Sequence, residues 1–296
     1  MTDTSFLSYI YEIIPRLIPL SCLEARFMQQ AFVGLALLAP MTAAMGVQVV
    51  NFRMAFFSDA ISHSAFAGVA LGLLFSLNPH WTMPIFGLLV GVGIMAVQRN
   101  SSLPSDTVIG VFFSAVIAFG LAAVSRDRSV AREMQRFLFG DVLTLGDGGV
   151  IWLFILFLAL MTFQVWSYNR LVYIGVSPAL AKAHGVNVAV YQYIFAGLLS
   201  LVVMISVQVT GVLLVTAMLI VPAATARNLS SSAGAVFWWA LLISLSSALA
   251  GLLVSAQEWA GTATGATVIL FTCGWFAVSL VCAGTEKRSW QSKQEP

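Results

Sequence analysis

This sequence is poor in charged residues. Asp, Glu, Lys and Arg make up only 9% of its 296 residues, whereas 59% are hydrophobic. Soluble domains carry about a quarter charged residues, and a soluble core of this length has too little volume to bury so much apolar surface. The lipid bilayer must therefore cover that surface, and the composition predicts an integral membrane protein.

Several chemical motifs are also missing. The sequence has no Gly-x-x-x-x-Gly-Lys-Ser/Thr loop to hold the phosphates of a nucleotide and no His-Glu-x-x-His pair of a metalloprotease. Its three histidines are too few for a membrane metalloenzyme. Its three cysteines lack the paired spacing of a zinc or redox site, and a net charge of +2 without a basic tract excludes nucleic acid as a partner. We therefore expect no enzyme and no permanently bound cofactor.

Long apolar runs separated by charged pockets predict the membrane spans. About twenty apolar residues cross a bilayer as a helix, and these runs are too long for barrel strands. The fold class is thus all-α, a polytopic membrane bundle of about 8–10 transmembrane helices. Residues 5–21 contain Glu12 and Arg16, and either add a span or lie at the interface as an amphipathic helix. The predicted spans lie near 31–50, 58–77, 81–98, 106–124, 150–168, 191–208, 211–226, 233–255 and 262–282. The pair 191–208 and 211–226 is interpreted as two short spans, the alternative being one broken element.

The loops predict the orientation of the chain. If successive spans alternate in direction, one side holds the C-terminus and the loops at 51–57, 99–105, 169–190 and 227–232. That side carries the larger share of Lys and Arg, so the positive-inside rule predicts a cytoplasmic C-terminus in a multi-pass protein of the cytoplasmic (inner) membrane. The predicted organisation is an N-terminal segment, a transmembrane domain and a polar cytoplasmic tail, over 1–30, 31–283 and 284–296.

Asp59 and His63 form an ionisable pair inside a predicted span. On a helix they are i and i+4, so their side chains share one face. A carboxylate oxygen and an imidazole nitrogen suit a borderline ion such as Zn²⁺ or Mn²⁺, whereas Mg²⁺ and Ca²⁺ prefer oxygen alone. In a soluble helix such a pair is more often a cap and a packed histidine, but ionisable groups inside a membrane usually line a substrate path. We therefore predict two metal ligands, completed from elsewhere, for instance by a second copy across a dimer axis.

Residues 177–186 predict a short helix between two spans. Ser177 is a candidate cap, Pro178 suits the first turn and Gly185 suits the stop. Such a helix is too short to cross the membrane, so it is either an interfacial connector or a docking element. His184 in this loop is interpreted as a surface residue and not as a metal ligand.

Three segments resemble the ABC-3 metal permeases. Residues 51–72 supply that family's arginine, methionine and Ser-Asp-Ala-Ile-Ser-His run, with Phe66-Ala67 where Leu-Pro is common. Residues 210–226 are similar to its Gly-Leu-Leu…Leu-Ile-Pro-Ala-Ala-Thr-Ala signature, in which we interpret Pro222 as a break at the end of the span and the alanines as sites of close helix approach. Residues 137–143 resemble its Leu-Phe-Gly-Ser-Ile-Leu element, and 264–267 give a weaker match.

The resemblance implies a permease subunit of an ATP-binding-cassette importer of the type II kind, which moves zinc, manganese or iron. ATP would be used by a separate ATPase subunit, and an extracytoplasmic metal-binding protein would deliver the ion. A second permease copy or a paralogue would form a dimer. In the family the short helix is a coupling helix that sits in a groove of the ATPase, which assigns that role to Ser177, Pro178, Ala181, Lys182, Ala183 and Gly185.

The outer loop and the transport mechanism leave alternatives open. A basic cluster in that loop is either a docking surface for the delivering protein or an ordinary solvated loop. Its members are Arg126, Arg128, Arg132 and Arg136. The alternative function is an ion-coupled secondary transporter or channel for metal ions, in which Asp59 and His63 coordinate the coupling ion or relay protons. Such a protein needs no ATPase and no coupling helix.

Overall fold

The structure is a computed structural model that describes residues 5–17, 21–125, 142–257 and 259–291. Within these ranges the chain forms helices and turns but no strand, which confirms the predicted all-α class. Two 3-10 turns lie at Ser21–Glu24 and Val142–Thr144. The α-helices are α1 Ser5–Leu17, α2 Arg26–Asn51, α3 Ala55–Leu74, α4 Pro79–Asn100, α5 Ser105–Val124, α6 Asp147–Val176, α7 Pro178–Ala183, α8 Val188–Thr210, α9 Val212–Leu229, α10 Ala233–Ser255 and α11 Thr264–Gln291.

Nine of the described helices are long and apolar enough to cross a membrane, namely α2 to α6 and α8 to α11. They coincide with the nine predicted spans to within a few residues at most ends. The exceptions are α6 and α11, which run well past the predicted ends of their spans. The first helix, α1, has only 13 residues and is shorter than the roughly twenty that a span requires. The described part of the segment 5–21 therefore adds no span.

A single glycine separates α8 from α9. Gly211 has φ 81°, in the left-handed region that favours glycine, and its N–H donates to the carbonyl of Val207 at 3.0 Å. The helices on either side have 23 and 18 residues. Residues 188–229 therefore form two separate helices, as predicted.

Small residues allow α2 to cross its neighbours closely at the centre of the bundle. A methyl group added at Gly46 would overlap the backbone carbonyl of Leu219 in α9. Nearby, Ala43 packs with Ala226 of α9 and Ala240 of α10. Such contacts are typical of small-residue interfaces between membrane helices. This part of the signature segment therefore serves close helix approach, as predicted.

Pro222 lies inside α9 and does not end it, because the helix continues to Leu229. The interpretation of this proline as a break at the end of the span is therefore wrong. Proline lacks an N–H, so the carbonyl one turn earlier loses its helical hydrogen bond. One turn beyond, the hydroxyl of Thr225 donates to the carbonyl of Val221 at 2.7 Å. The tightly packed helices around α9 keep it helical through the proline.

The basic loops lie on one face of the bundle. One cavity is lined by residues from three of them, including Arg53, Ser105 and Pro178. A second cavity joins Arg53 to Arg227 of the fourth. The structure thus agrees with the alternation assumed from the sequence. The positive-inside rule predicts that this face is the cytoplasmic one.

Candidate functional site

Asp59 and His63 lie on the one accessible stripe in the first half of α3. The residues beside this stripe, Phe57, Ala60 and Ile61, are fully buried in the bundle. Phe56 is 61% exposed, and Asp59 and His63 are half-buried. Phe56, Asp59 and His63 are i, i+3 and i+7, so they follow one another along the same face. The side chains of the pair therefore share an opening, as the spacing predicts.

The cap interpretation of Asp59 does not fit the structure. Helix α3 begins at Ala55, and Met54 occupies the N-cap without a side-chain hydrogen bond. Asp59 thus stands in the second turn, where every backbone N–H already has a helical partner. The helix continues without interruption through Phe66 and Ala67, where the family commonly has Leu-Pro.

Two aromatic rings hold the imidazole of His63. The ring of Phe113 in α5 lies edge-on at 5.1 Å between centroids, and that of Phe66 lies at 5.6 Å. Within the described ranges, neither Asp59 nor His63 makes a hydrogen bond or ion pair with another residue. The rings fix the plane of the imidazole without occupying its nitrogens. Sequence reasoning missed Phe113, because nothing in the sequence places α5 beside His63.

The pair alone is an incomplete coordination shell. Among the described residues, no group of three or more His, Cys, Asp or Glu side chains lies close enough to hold a metal ion. Zinc sites in proteins have three or four protein ligands. Asp59 and His63 therefore provide two ligands at most from one copy of this chain.

Helix α7 has the cap and stop that the sequence predicts. The hydroxyl of Ser177 accepts from the N–H of Leu180 at 3.3 Å, and Pro178 occupies the first turn. Gly185 has φ 76°, and its N–H donates to the carbonyl of Lys182 at 3.0 Å. Such a left-handed glycine ends a helix sharply. The segment is therefore a six-residue helix between the spans α6 and α8.

One side of α7 is anchored and the other is open. Ala181 is buried in a large apolar cluster of the bundle that also includes Val188 and Tyr191 of α8. Lys182 is exposed, and so is Leu180 at 49%. His184 is also exposed, as predicted. Leu180 was absent from the residues predicted to contact the ATPase. The sequence alone favours a core position for a leucine in a helix, and only the structure shows that this side chain is exposed.

A polar cluster at the opposite end of the bundle joins α1, α2 and α6. The carboxylate of Asp147 accepts hydrogen bonds from Tyr11 at 3.1 Å, Arg26 at 2.7 Å and Gln30 at 2.8 Å. We call these four residues the outer clasp. Burial and the bond to Asp147 raise the pKa of Tyr11 to about 12, so the phenol keeps the proton that it donates. The predicted docking residues of the outer loop, Arg126, Arg128, Arg132 and Arg136, lie outside the described residues.

Comparisons with known proteins identify relatives of this chain. Residues 24–283 match the family described as the ABC 3 transport family. The chain is 31% identical over 243 residues to the high-affinity zinc uptake system membrane protein of Haemophilus influenzae, covering 82% of this chain and 92% of that protein. It is 28% identical over 273 residues to the manganese transport system membrane protein of Listeria monocytogenes, covering 92% and 96%.

A solved structure has the same fold. PsaBC from Streptococcus pneumoniae, determined in complex with Fab, superimposes with a TM-score of 0.74 at 28% sequence identity. The match covers 91% of this chain and 95% of that one. The overall arrangement of helices is thus shared along nearly the whole length of both chains.

Proposed function

Because this chain belongs to the ABC 3 transport family, we propose that it is the membrane permease subunit of an ATP-binding-cassette importer for a divalent transition metal ion. It is a multi-pass transport protein of the cytoplasmic membrane and not an enzyme. Two relatives are named for zinc and manganese uptake, and iron is the third candidate cargo implied by the sequence motifs. The observation that carries the proposal is the pair Asp59 and His63 on the accessible stripe of α3.

Asp59 and His63 are the proposed contacts of the passing ion. One offers carboxylate oxygens and the other an imidazole nitrogen, a mixed set that suits zinc, manganese or iron better than magnesium or calcium. A second copy or a paralogue would supply the rest of the shell across a two-fold axis. The stripe borders α5, whose exposed Val111 and Leu121 offer an apolar surface for that contact.

Helix α7 is the proposed coupling element. Its exposed residues, among them Leu180 and Lys182, would enter a groove of a separate ATPase subunit that binds and hydrolyses ATP. Ser177, Pro178 and Gly185 fix the shape of the helix, and buried Ala181 fixes it to the bundle rather than touching the ATPase. ATP-driven closure of the ATPase would then move α7 together with α6 and α8.

Transport by this arrangement is alternating access. An extracytoplasmic metal-binding protein delivers the ion to the outer face. The ion passes Asp59 and His63 near the two-fold interface and leaves on the cytoplasmic side when the coupling helices move. The carboxylate of Asp59 and the neutral imidazole of His63 thus lower the free energy of a cation in the apolar interior.

Metal uptake by cells tests the site directly. Cells that express this chain with its ATPase and its metal-binding protein should lose uptake when Asp59→Asn or His63→Ala is introduced. Loss of an outer-shell partner alone lowers metal affinity about ten-fold or more, so loss of a ligand should lower uptake by at least that factor. His80→Ala is the matched control, because His80 is exposed at the outer end of α4. Near-normal uptake by both site variants at normal expression would contradict the assignment.

The rival function makes a different prediction. An ion-coupled transporter or channel moves metal without nucleotide hydrolysis, whereas the permease proposed here cannot. We expect uptake to fall to background when the partner ATPase carries a substitution of its phosphate-loop lysine. Uptake that persists with this inactive ATPase and still requires Asp59 and His63 would favour the rival function.

A further inference from the structure

A cavity of about 450 Å³ lies between the cytoplasmic ends of α6 and α10 and takes no part in the metal path described above. We call it the basal cavity. Its apolar wall includes Val172 of α6 and Val236 of α10, and its polar wall includes Asn51, Arg53, Arg227 and Ser231. A lining that is partly apolar and partly polar is suited to an amphipathic ligand.

The polar wall carries positive charge without a balancing acid. Arg53 and Arg227 both line the cavity, and no acidic residue does. In the part of the chain that the structure describes, neither guanidinium makes an ion pair or hydrogen bond. Two like charges in one cavity are stabilised by an anion between them, and guanidinium groups bind phosphate oxygens with paired hydrogen bonds. The amide of Asn51 and the hydroxyl of Ser231 are additional donors.

The backbone at Arg53 has a strained conformation. Arg53 has φ 55°, a left-handed conformation that L side chains rarely adopt. Its N–H donates to the carbonyl of Val50, and the N–H of Met54 donates to that of Val49, which together form the usual stop of a helix. Glycine is the preferred residue at such a stop. An arginine there indicates a role for the guanidinium, since backbone strain of this kind clusters at functional sites.

Aromatic residues place the basal cavity at the depth of the lipid headgroups. On its membrane side, the hydroxyl of Tyr168 donates to the carbonyl of Ala233 at 2.7 Å, and the Tyr168 ring packs on Phe237 at 5.2 Å. Around it, Trp238 is 66% exposed and Tyr173 is 58% exposed. Exposed Trp and Tyr mark the boundary between hydrocarbon and headgroups. The cavity lies on the basic, cytoplasmic face, where the membrane carries its anionic lipids.

We propose that the basal cavity binds the phosphate of an anionic phospholipid from the cytoplasmic leaflet. Arg53 and Arg227 hold the phosphate, and the glycerol and the start of the acyl chains lie along Val172 and Val236. The bound lipid joins the α2–α3 turn to the α9–α10 loop beside the cytoplasmic end of α6. The depth of the cavity and its apolar wall favour a lipid over free phosphate or an acidic side chain of the ATPase.

Arg53→Gly is the informative substitution. It removes the guanidinium and at the same time places the preferred residue at the strained position, so the variant should fold as well as the wild type. Arg227→Gln removes the second charge with little change in size. Arg99→Gln is the matched control, because Arg99 lies on the same membrane face outside the basal cavity and donates to Gln192 at 2.7 Å.

The experiment measures lipid bound to the full-length chain in complex with its partner ATPase, purified in mild detergent. Native mass spectrometry counts phosphatidylglycerol bound per chain after its addition to delipidated complex. We expect the wild type and Arg99→Gln to bind one, and Arg53→Gly and Arg227→Gln to bind about ten-fold less, as expected for loss of a charge-assisted hydrogen bond. Phosphatidylcholine has the same phosphate but also a quaternary ammonium group, which the two arginines repel, so it should bind more weakly than phosphatidylglycerol. The melting temperature of Arg53→Gly in phosphatidylcholine should equal or exceed that of the wild type.

Three results would overturn the proposal. Equal phosphatidylglycerol binding by all four proteins would show that the two arginines do not hold the lipid. Displacement of the lipid by millimolar inorganic phosphate would identify a site for free oxyanions. The third result combines two observations: Arg53→Gly no longer binds the ATPase, and the wild type binds lipid only when the ATPase is absent. Together they would identify an acidic group of the ATPase as the occupant.

Discussion

At the scale of single residues, Asp147 has more partners than any other acid in the described chain. It begins α6 and accepts hydrogen bonds from Tyr11, Arg26 and Gln30. Asp147→Asn removes the charge that makes these bonds strong. Because the cluster is partly exposed, we expect a loss of about 1–2 kcal/mol in the free energy of unfolding. Thermal unfolding followed by circular dichroism checks the size of the effect.

Asp106→Asn is the control for that measurement. Asp106 also stands in the first turn of a span, α5, but makes no hydrogen bond or ion pair to the described residues. Its substitution should leave the midpoint nearly unchanged. Equal midpoints for the two variants would contradict the role given to the outer clasp.

The relative positions of side chains could be predicted where they depend on local spacing. Asp59 and His63 share a face because four residues make about one helical turn, and this holds in any helix. The outer clasp depends instead on Tyr11 meeting Asp147 across 136 residues of sequence. Phe113 beside His63 is a similar case, since no local pattern pairs α3 with α5. Contacts between distant helices follow from packing, which periodicity does not encode when helices are apolar on every side.

At the scale of one element, α7 offers a test of coupling. Leu180 is half exposed on a six-residue helix, so its side chain contributes little to the fold. Leu180→Asp should reduce co-purification of the ATPase by about ten-fold, the effect of losing one well-buried apolar contact in the complex. Leu77→Asp is the control, because Leu77 is about as open, at 56%, but lies at the opposite end of the bundle. Unchanged ATPase binding by Leu180→Asp would remove α7 from the interface.

The crossing of α2 and α9 gives a second test at this scale. A methyl group at Gly46 would overlap the carbonyl of Leu219, and a backbone atom cannot rotate away. Gly46→Ala should therefore lower the free energy of unfolding by about 1–3 kcal/mol, the usual effect of overpacking. Gly110→Ala in α5 is the control, because nothing lies within 4 Å of the added carbon. Thermal unfolding of both variants measures the difference, and a Gly46→Ala midpoint as high as that of Gly110→Ala would contradict the close crossing.

The helices themselves were largely predictable, and their ends were not. The predicted span 150–168 stops where Arg170 and Tyr173 begin a polar stretch, yet α6 continues to Val176. The reason is that Arg170 is covered by aromatic rings, with Trp166 at 5.0 Å and Tyr191 at 5.4 Å from its guanidinium carbon. Cation–π contacts let a charged residue remain in a helix near the membrane surface. That cover includes a residue of another helix, so the sequence around Arg170 does not reveal it.

At the scale of the whole molecule, the orientation of the chain stays a prediction from the basic loops, whereas the nine candidate spans among the described residues followed from the apolar runs. The position of each span in the bundle did not. Helix α2 lies at the centre, against α6, α9 and α10, although its composition resembles that of the outer helices. Lipid tails are as apolar as a protein core, so burial in protein and exposure to lipid select the same residues. Completion of the metal shell by a second copy depends in the same way on how the surface of this chain packs, and it stays a prediction.

Helix α6 is unbroken, so it can transmit a displacement along its axis. Its 30 residues contain no proline and span roughly 45 Å, from the outer clasp at Asp147 to the cap of α7 at Ser177. A stiff rod passes an axial thrust from end to end. If the proposed ATPase displaces α7 along this axis, the displacement should therefore reach the outer clasp and α1, about one membrane thickness away. Helix α1, which is too short to cross the membrane, is then the element that this displacement would move at the far end of α6.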